Sequence, residues 1–207
     1  MSLSDDQLTE IVRETVGHYD RNALSFWEGT KDHDVSQNTQ TLLSNIRGEA
    51  PYRILDVGCG PGRDLAFFKS RGHIPIGVEG SAQLSALARK NAGCTVWEQN
   101  FLALDLPLSF FDGVFANATL FHVPKQELPR VLRELWSCLK KDGVFFSSNP
   151  RGLDIEGWNG DRYGSYHSIG QWRTFMQNAG FSEITHYYRP PGRPREEQPW
   201  LAMAWRK

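Results

Sequence analysis

From residue 53 onward the chain alternates short apolar runs with longer helical patterns, and that alternation constrains the fold more than any other feature of the sequence. The runs "YRILDV", "IPIGVEG", "CTVWEQN", "FDGVFANA" and "VFFSSN" have the character of buried strands. Between them, "DLAFFKSRG", "SAQLSALARKNAG" and "KQELPRVLRELWSCLKKDG" read as helices stopped by Gly72, Gly93 and Gly143, the last with Lys140 and Lys141 in its final turn. "IGQWRTFMQNAG" adds a helix, and "SEITHYYR" and "PWLAMAWRK" complete seven strand runs. Such alternation predicts an α/β fold, a doubly wound and mostly parallel sheet covered on both faces. The last two runs are joined only by "PPGRPREEQ". That is too short for a parallel crossover, so the final strand enters antiparallel.

Ahead of this core, Ser4 and Gln7 have the spacing of a capping box, with Asp5 and Asp6 in the first turn and Leu8, Ile11, Val12 and Val16 on one helical face. A second helix is expected near Asp34, burying Leu42, Leu43 and Ile46. No repeat or break in composition divides the chain, so residues 1–207 are expected to form one domain, a helical cover over 1–50 and a core over 51–207. The net charge of −1, from 23 basic and 24 acidic residues, creates no field that would draw in nucleic acid. No apolar run reaches membrane-span length, so a cytoplasmic protein with no membrane partner is expected. Cys59, Cys94 and Cys138 are odd in number and far apart. They suggest neither a disulfide framework nor a metal site. Cys59 reads as a small residue tolerated in a turn.

That turn, "ILDVGCGPGRD" over 54–64, sits where sheets of this kind bind ligands, beyond the carboxyl end of the first strand. A triphosphate loop needs a Lys and a Ser or Thr, where this turn has Arg63 and Asp64. A dinucleotide fingerprint is matched by Gly58 and Gly60, but Arg63 takes the third position and glycine has moved to 62. Asp56 would also be a poor neighbour for a pyrophosphate. S-adenosylmethionine carries an ammonium, a ribose diol and a sulfonium, and no phosphate. Asp56 suits its positive end, Gly58, Cys59, Gly60 and Gly62 let the backbone pass close beneath it, and Glu79, followed by Gly80, can accept both ribose hydroxyls.

On these residues the segment resembles class I S-adenosylmethionine-dependent methyltransferases. "ILDVGCGPGRD", including Arg63, resembles their first motif, "PIGVEGS" their second, "EQNFLALDLP" the stretch framing the adenine, and "FDGVFANATLFHVP" the fourth-strand motif. The resemblance covers residues 53 to about 146. It implies a Rossmann-like sheet of seven strands with S-adenosylmethionine as cofactor. Asn100 and Phe101 would meet the adenine, and the backbone around Ala116 and Asn117 the methionine part.

The acceptor should be chosen by two polar, aromatic stretches, residues 18–38 and 147–167. The second, with Trp158, Tyr163 and Tyr166, reads as a lid loop. Its "NPRG" follows the fifth strand rather than the fourth and does not suggest a nucleic-acid base as substrate. With "LFHVPKQELPRVLREL", "FFSSNPRG", "EGWNGDRYGSYH" and "HYYRPPGRPREEQPWLA", the chain from about His18 to its end is similar to the C-terminal methyltransferase domain of ovothiol synthases. That resemblance implies methylation of the π nitrogen of 5-thiohistidine, a small-molecule acceptor, with a sulfoxide synthase acting upstream, either as a separate protein or as a domain from which this one is excised. Such an acceptor needs a guanidinium (Arg21, Arg151 or Arg162), an acid for its ammonium (Asp20 or Asp161), a polar neighbour such as Asn149, and aromatic walls (Tyr19, Trp158, Tyr163, Tyr166). His122, with Tyr163 and Tyr166, is the candidate for orienting the acceptor or taking a proton. Other small thiols, amines or metalloid oxyanions remain open as acceptors, as does a non-catalytic S-adenosylmethionine-binding module.

Overall fold

The structure, a computed structural model, describes residues 2–207. Three helices precede the first strand: α1 (Asp5–Arg21), α2 (Ala23–Thr30) and α3 (Ser36–Asn45). There follow β1 (Arg53–Val57), α4 (Arg63–Ser70), β2 (Ile74–Glu79), α5 (Ala82–Ala92), β3 (Thr95–Glu98), β4 (Phe111–Asn117), α6 (Leu128–Cys138) and β5 (Leu139–Pro150). After β5 come the hairpin β6 (Ile155–Asn159) and β7 (Arg162–Tyr166), then α7 (Ile169–Asn178), β8 (Ser182–Arg189) and β9 (Trp200–Arg206).

The main sheet has seven strands in the order β3-β2-β1-β4-β5-β9-β8. Its first four pairings are parallel, and β9 runs antiparallel to both neighbours. The expected doubly wound sheet with an antiparallel last strand is therefore the fold observed. Both faces are covered because successive residues point to opposite sides. Ile54, Phe115 and Phe146 pack with Leu42 and Ile46 of the α3 region and Phe68 of α4. Leu55, Val114 and Phe145 face the α6 and α7 side, with Leu132, Leu135, Trp172 and Met176. The strand order reverses between β1 and β4, which opens a crevice at their carboxyl ends.

At the N-terminus the capping box forms, with Gln7 N–H on the Ser4 hydroxyl and the Gln7 side chain on the Ser4 N–H. Leu8 and Ile11 are buried, while Val12 and Val16 of the same stripe border the crevice. The polar stretch after His18 contains a helix, α2, that the apolar pattern does not announce.

Two expectations need correction. The helix before the fifth strand ends at Cys138, not at Gly143. Leu139 is fully buried and pairs with Phe111 of β4, and Lys140 Nζ lies 2.6 Å from Asp112 Oδ1, so sheet pairing captures residues whose charge pattern looks like a helix end. The lid over 147–167 is not an irregular loop. It is the end of β5 followed by the two-stranded β6–β7 hairpin, which turns at Gly160 with a φ of 63°.

Candidate functional site

A cavity of about 660 Å³ occupies the crevice, well within the roughly 300–1,000 Å³ of small-molecule sites. One end is built by the turn after β1. Gly58, Cys59 and Gly60 line it, with Val78 and Glu79 from β2, Gly80 just after it, and Asn100 and Phe101 beyond β3. The glycines answer to space as well as to backbone angle. Gly58 has a φ of 64°, and a Cβ there would overlap the Thr119 side chain. Gly62, with a φ of 90°, lies against α5, where a Cβ would come within 2.8 Å of the Ala88 Cα. Cys59 is buried, and burial pushes its thiol well above the usual range, so it is packing and not a nucleophile.

Acidic groups floor this end. Glu79 Oε2 accepts from Gly60 N–H and Oε1 from Ser81 N–H, both at 2.9 Å. Burial raises the Glu79 carboxyl, opposed by these backbone donors. Asp56 lies beneath the wall rather than on it. Its Oδ2 is buried without a partner, and desolvation, with Asp64 nearby, raises its carboxyl well above the ordinary value. Asp64 is on the wall with Glu79, held by Arg63 Nε and Nη2, each at 2.9 Å. Arg63 also reaches the Thr30 carbonyl at 3.0 Å. Asn117 bonds Asn38 at 2.9 Å, and Asn38 Oδ1 accepts from Tyr187 at 2.9 Å and Arg189 at 2.8 Å. This polar string ties α3, β4 and β8 together along one side of the cavity.

The other end is aromatic and cationic: Tyr19, Phe26, Phe121, His122, Arg162, Arg189 and Trp200. His122 Nδ1 lies 2.7 Å from the Tyr163 carbonyl and Nε2 lies 2.8 Å from the Tyr19 hydroxyl. Burial lowers the His122 pKa to about 4, and Arg162 and His18 push it the same way. Burial also raises the Tyr19 phenol, an effect Arg162 opposes. Among the described residues no carboxylate is paired with Arg162.

Of the expected acceptor-binding residues, the fold brings Tyr19, His122 and Arg162 to the cavity, and Asn117 joins them from the cofactor set. Others are engaged elsewhere. Asp20 sits at the start of α5, accepting from the Ser81 hydroxyl and from Gln83 N–H at 3.1 Å. Arg21 pairs with Asp161 at 2.9 Å, and His18 meets the same carboxylate. Arg151 donates to the carbonyls of Gln198 and Arg195 at 2.8 and 3.0 Å. Asn149 borders a separate small void with His167 and Trp172. Trp158 is 49% exposed and meets Tyr163 edge-on. Tyr163 contributes its backbone, and Tyr166 stacks on Phe121 behind the wall. Ala116 is buried in the sheet.

Wall residues missed by sequence reasoning include Thr15, Phe26, Asn38, Asp64, Thr119, Phe121, Arg189 and Trp200. Asp64 lay inside the glycine motif and was legible as a polar neighbour. The rest come from remote segments that only the fold assembles.

Residues 54–143 match the family described as methyltransferase domain. Trans-aconitate 2-methyltransferase from Azoarcus sp. is 31% identical over 117 residues, covering 55% of this chain and 45% of that protein. An uncharacterized methyltransferase from Staphylococcus carnosus is 23% identical over 138 residues, covering 66% of this chain and 65% of its own length. The chain thus spans about half to two thirds of these relatives. In fold it resembles Burkholderia thailandensis 1,6-didemethyltoxoflavin-N1-methyltransferase, solved with 1,6-didemethyltoxoflavin and S-adenosylhomocysteine, at a TM-score of 0.78 and 20% identity over 100% of this chain and 92% of that one. A TehB-like protein from Corynebacterium glutamicum gives a TM-score of 0.70 at 16% identity, covering 92% and 99%. The fold is the one these solved methyltransferases share, and the matched segment is similar to a methyltransferase domain.

Proposed function

We propose that this chain, acting as one unit, transfers a methyl group from S-adenosylmethionine to a ring nitrogen of a small anionic heterocycle, with 5-thiohistidine as the favoured acceptor. The observation that carries the reading is the asymmetry of one cavity. It has a glycine-lined end floored by Glu79 and Asp64 and an aromatic end holding Tyr19, His122 and an Arg162 without a carboxylate partner.

The glycine end fits the cofactor. Gly58 leaves room that a Cβ would fill, Glu79 keeps lone pairs for a diol beyond its two backbone bonds, and the orphaned Asp56 Oδ2 suits a nearby cation. The bound cofactor supplies a methyl group on a sulfonium, an electrophile already activated. The protein's part is then to orient the acceptor and exclude water. Helix α1 does the second: Ile11, Val12 and Val16 roof the cavity. Arg162 provides a cation for a thiolate or carboxylate, and Tyr19, Phe26 and Phe121 provide ring faces. An imidazole nitrogen brings its own lone pair, so no strong base is required, and a His122 held neutral is consistent with that.

This reading calls for a sulfoxide synthase activity upstream and a cytoplasmic setting. Purified protein incubated with S-adenosylmethionine and 5-thiohistidine is expected to give a product one methyl group heavier, by mass spectrometry. If that acceptor fails while a panel of other thiols, amines and metalloid oxyanions yields product, only the acceptor assignment falls. Cofactor binding without turnover on any of them would leave a binding module.

A further inference from the structure

We infer that Tyr19 faces the acceptor with a lone pair and not with its hydrogen, so that the site selects a ring that donates an N–H to the Tyr19 oxygen while another ring nitrogen takes the methyl group. The inference rests on the methyl-transfer reading and sharpens it to a requirement on the acceptor's tautomer.

The polarity follows from a chain of bonds with a fixed end. A backbone carbonyl only accepts, so His122 Nδ1, 2.7 Å from the Tyr163 oxygen, carries a hydrogen. The Tyr163 peptide is itself anchored, its N–H donating to the Thr15 hydroxyl at 3.0 Å. With the hydrogen on Nδ1, a neutral ring leaves Nε2 as an acceptor. The Tyr19 hydroxyl, 2.8 Å away, must therefore donate to it. A phenol has one hydrogen. Once that is committed to His122, the oxygen offers only lone pairs to the cavity.

The surroundings keep this arrangement. On the His122 side the facing groups are Arg162 and His18, and both oppose a positive charge there; on the Tyr19 side they are Arg162, whose guanidinium donates toward the phenol oxygen and leaves it one lone pair for the cavity, with Glu79 and Tyr166. Arg162 has donors only and cannot take the tyrosine's hydrogen. The site thus offers a lone pair and a guanidinium side by side. The matching ligand is a ring bearing an N–H next to an anionic group, the pattern of a thiolated imidazole. Because Tyr19 fixes which nitrogen holds the hydrogen, it also fixes which nitrogen is left nucleophilic. Tyr19 is accordingly a specificity-determining residue, and His122 is a positioning residue acting through it.

The test is calorimetric binding of 5-thiohistidine, and of its analogue methylated on the distal (τ) ring nitrogen, to the protein saturated with S-adenosylhomocysteine. The wild type is expected to bind the N–H ring about tenfold to hundredfold more tightly, the usual penalty for an unmatched buried polar group. Tyr19→Phe should reduce that preference to about threefold or less by removing the lone pair. His122→Gln keeps an acceptor for the tyrosine hydrogen and should retain the preference. His122→Leu releases that hydrogen into the cavity and should abolish or reverse it. Equal binding of both rings by the wild type, binding of neither, or an unchanged preference in the Phe and Leu variants overturns the inference. Tight, selective binding with no methylated product would sink the methyl-transfer reading and leave only the polarity of the Tyr19 bond and its choice of an N–H ring standing.

Discussion

Asp56 and Glu79 stand at the tips of neighbouring strands, yet they meet the cavity differently. Glu79 is on the wall and already accepts two backbone N–H bonds. Replacing it with Gln sets an amide N–H₂ against one of those donors and removes the charge. Glu79→Gln is expected to weaken S-adenosylmethionine binding by about 1–3 kcal/mol, measured by calorimetry. Unchanged affinity would remove Glu79 from the cofactor site. Asp56 has no partner at Oδ2, and burial raises its carboxyl well above the usual value, which favours the protonated form over what water would allow. A cation at the glycine end favours ionisation of that carboxyl. Cofactor binding should then release a proton, and affinity should rise with pH until Asp56 ionises unaided. Titrations in buffers of different ionisation enthalpy read this directly. The buffer dependence should vanish in Asp56→Asn, and its absence in the wild type would detach Asp56 from the ligand.

Among the elements, α1 decides whether the cavity is closed. It is held through Asp20 at the start of α5, through His18 and Arg21 on Asp161, through Tyr19 on His122, and through Thr15, which accepts the Tyr163 N–H. Thr15 is buried and Val has its shape. Thr15→Val leaves the Tyr163 N–H unpaired inside the protein, an expected cost of about 1–3 kcal/mol, seen as a lower denaturant midpoint with the slope unchanged. A loss under about 0.5 kcal/mol would mean the hairpin is held by something else. The seven strands were legible because each is a short apolar run with a turn residue at its end. The cap of α1 was legible because Ser4 and Gln7 act locally. The end of α6 was not, since Leu139 leaves the helix for a partner, Phe111, that lies far away in sequence. Nor was the β6–β7 hairpin, whose strands carry no apolar alternation: Ile155, Trp158 and their neighbours stay largely exposed, and Tyr163 is buried where α1 and the Leu120–His122 turn lie against β7.

Over the whole molecule, the glycine-lined end of the cavity and its aromatic end differ in how the chain builds them, and this divides what the sequence reveals. Gly58, Gly60, Asp64, Glu79 and Asn100 lie within one continuous stretch of strand ends, so a motif records them. Tyr19, Asn38, His122, Arg162, Arg189 and Trp200 converge from six distant segments, and nothing short of the fold joins them. The same convergence buries an imidazole that stays neutral, which links the site to global stability. His122 titrates near 6.5 in an unfolded chain and at about 4 in the folded one. Between those values the unfolded state binds more protons, so acid favours unfolding, and the contribution is fully present above pH 6.5 and lost as pH falls to 4. At about 1.4 kcal/mol per unit, the loss is about 3 kcal/mol. Asp56 and Glu79, raised by burial, act with the opposite sign, stabilising at low pH and losing that contribution as pH climbs past their ordinary values. Wild-type stability alone therefore mixes the two. The difference between wild type and His122→Gln does not, because both acids are common to the pair. Measured by urea denaturation, the wild type should lose about 3 kcal/mol more than the variant between pH 6.5 and pH 4. Parallel curves would mean that His122 is solvated or already charged, and the bond polarity at Tyr19 would go with it.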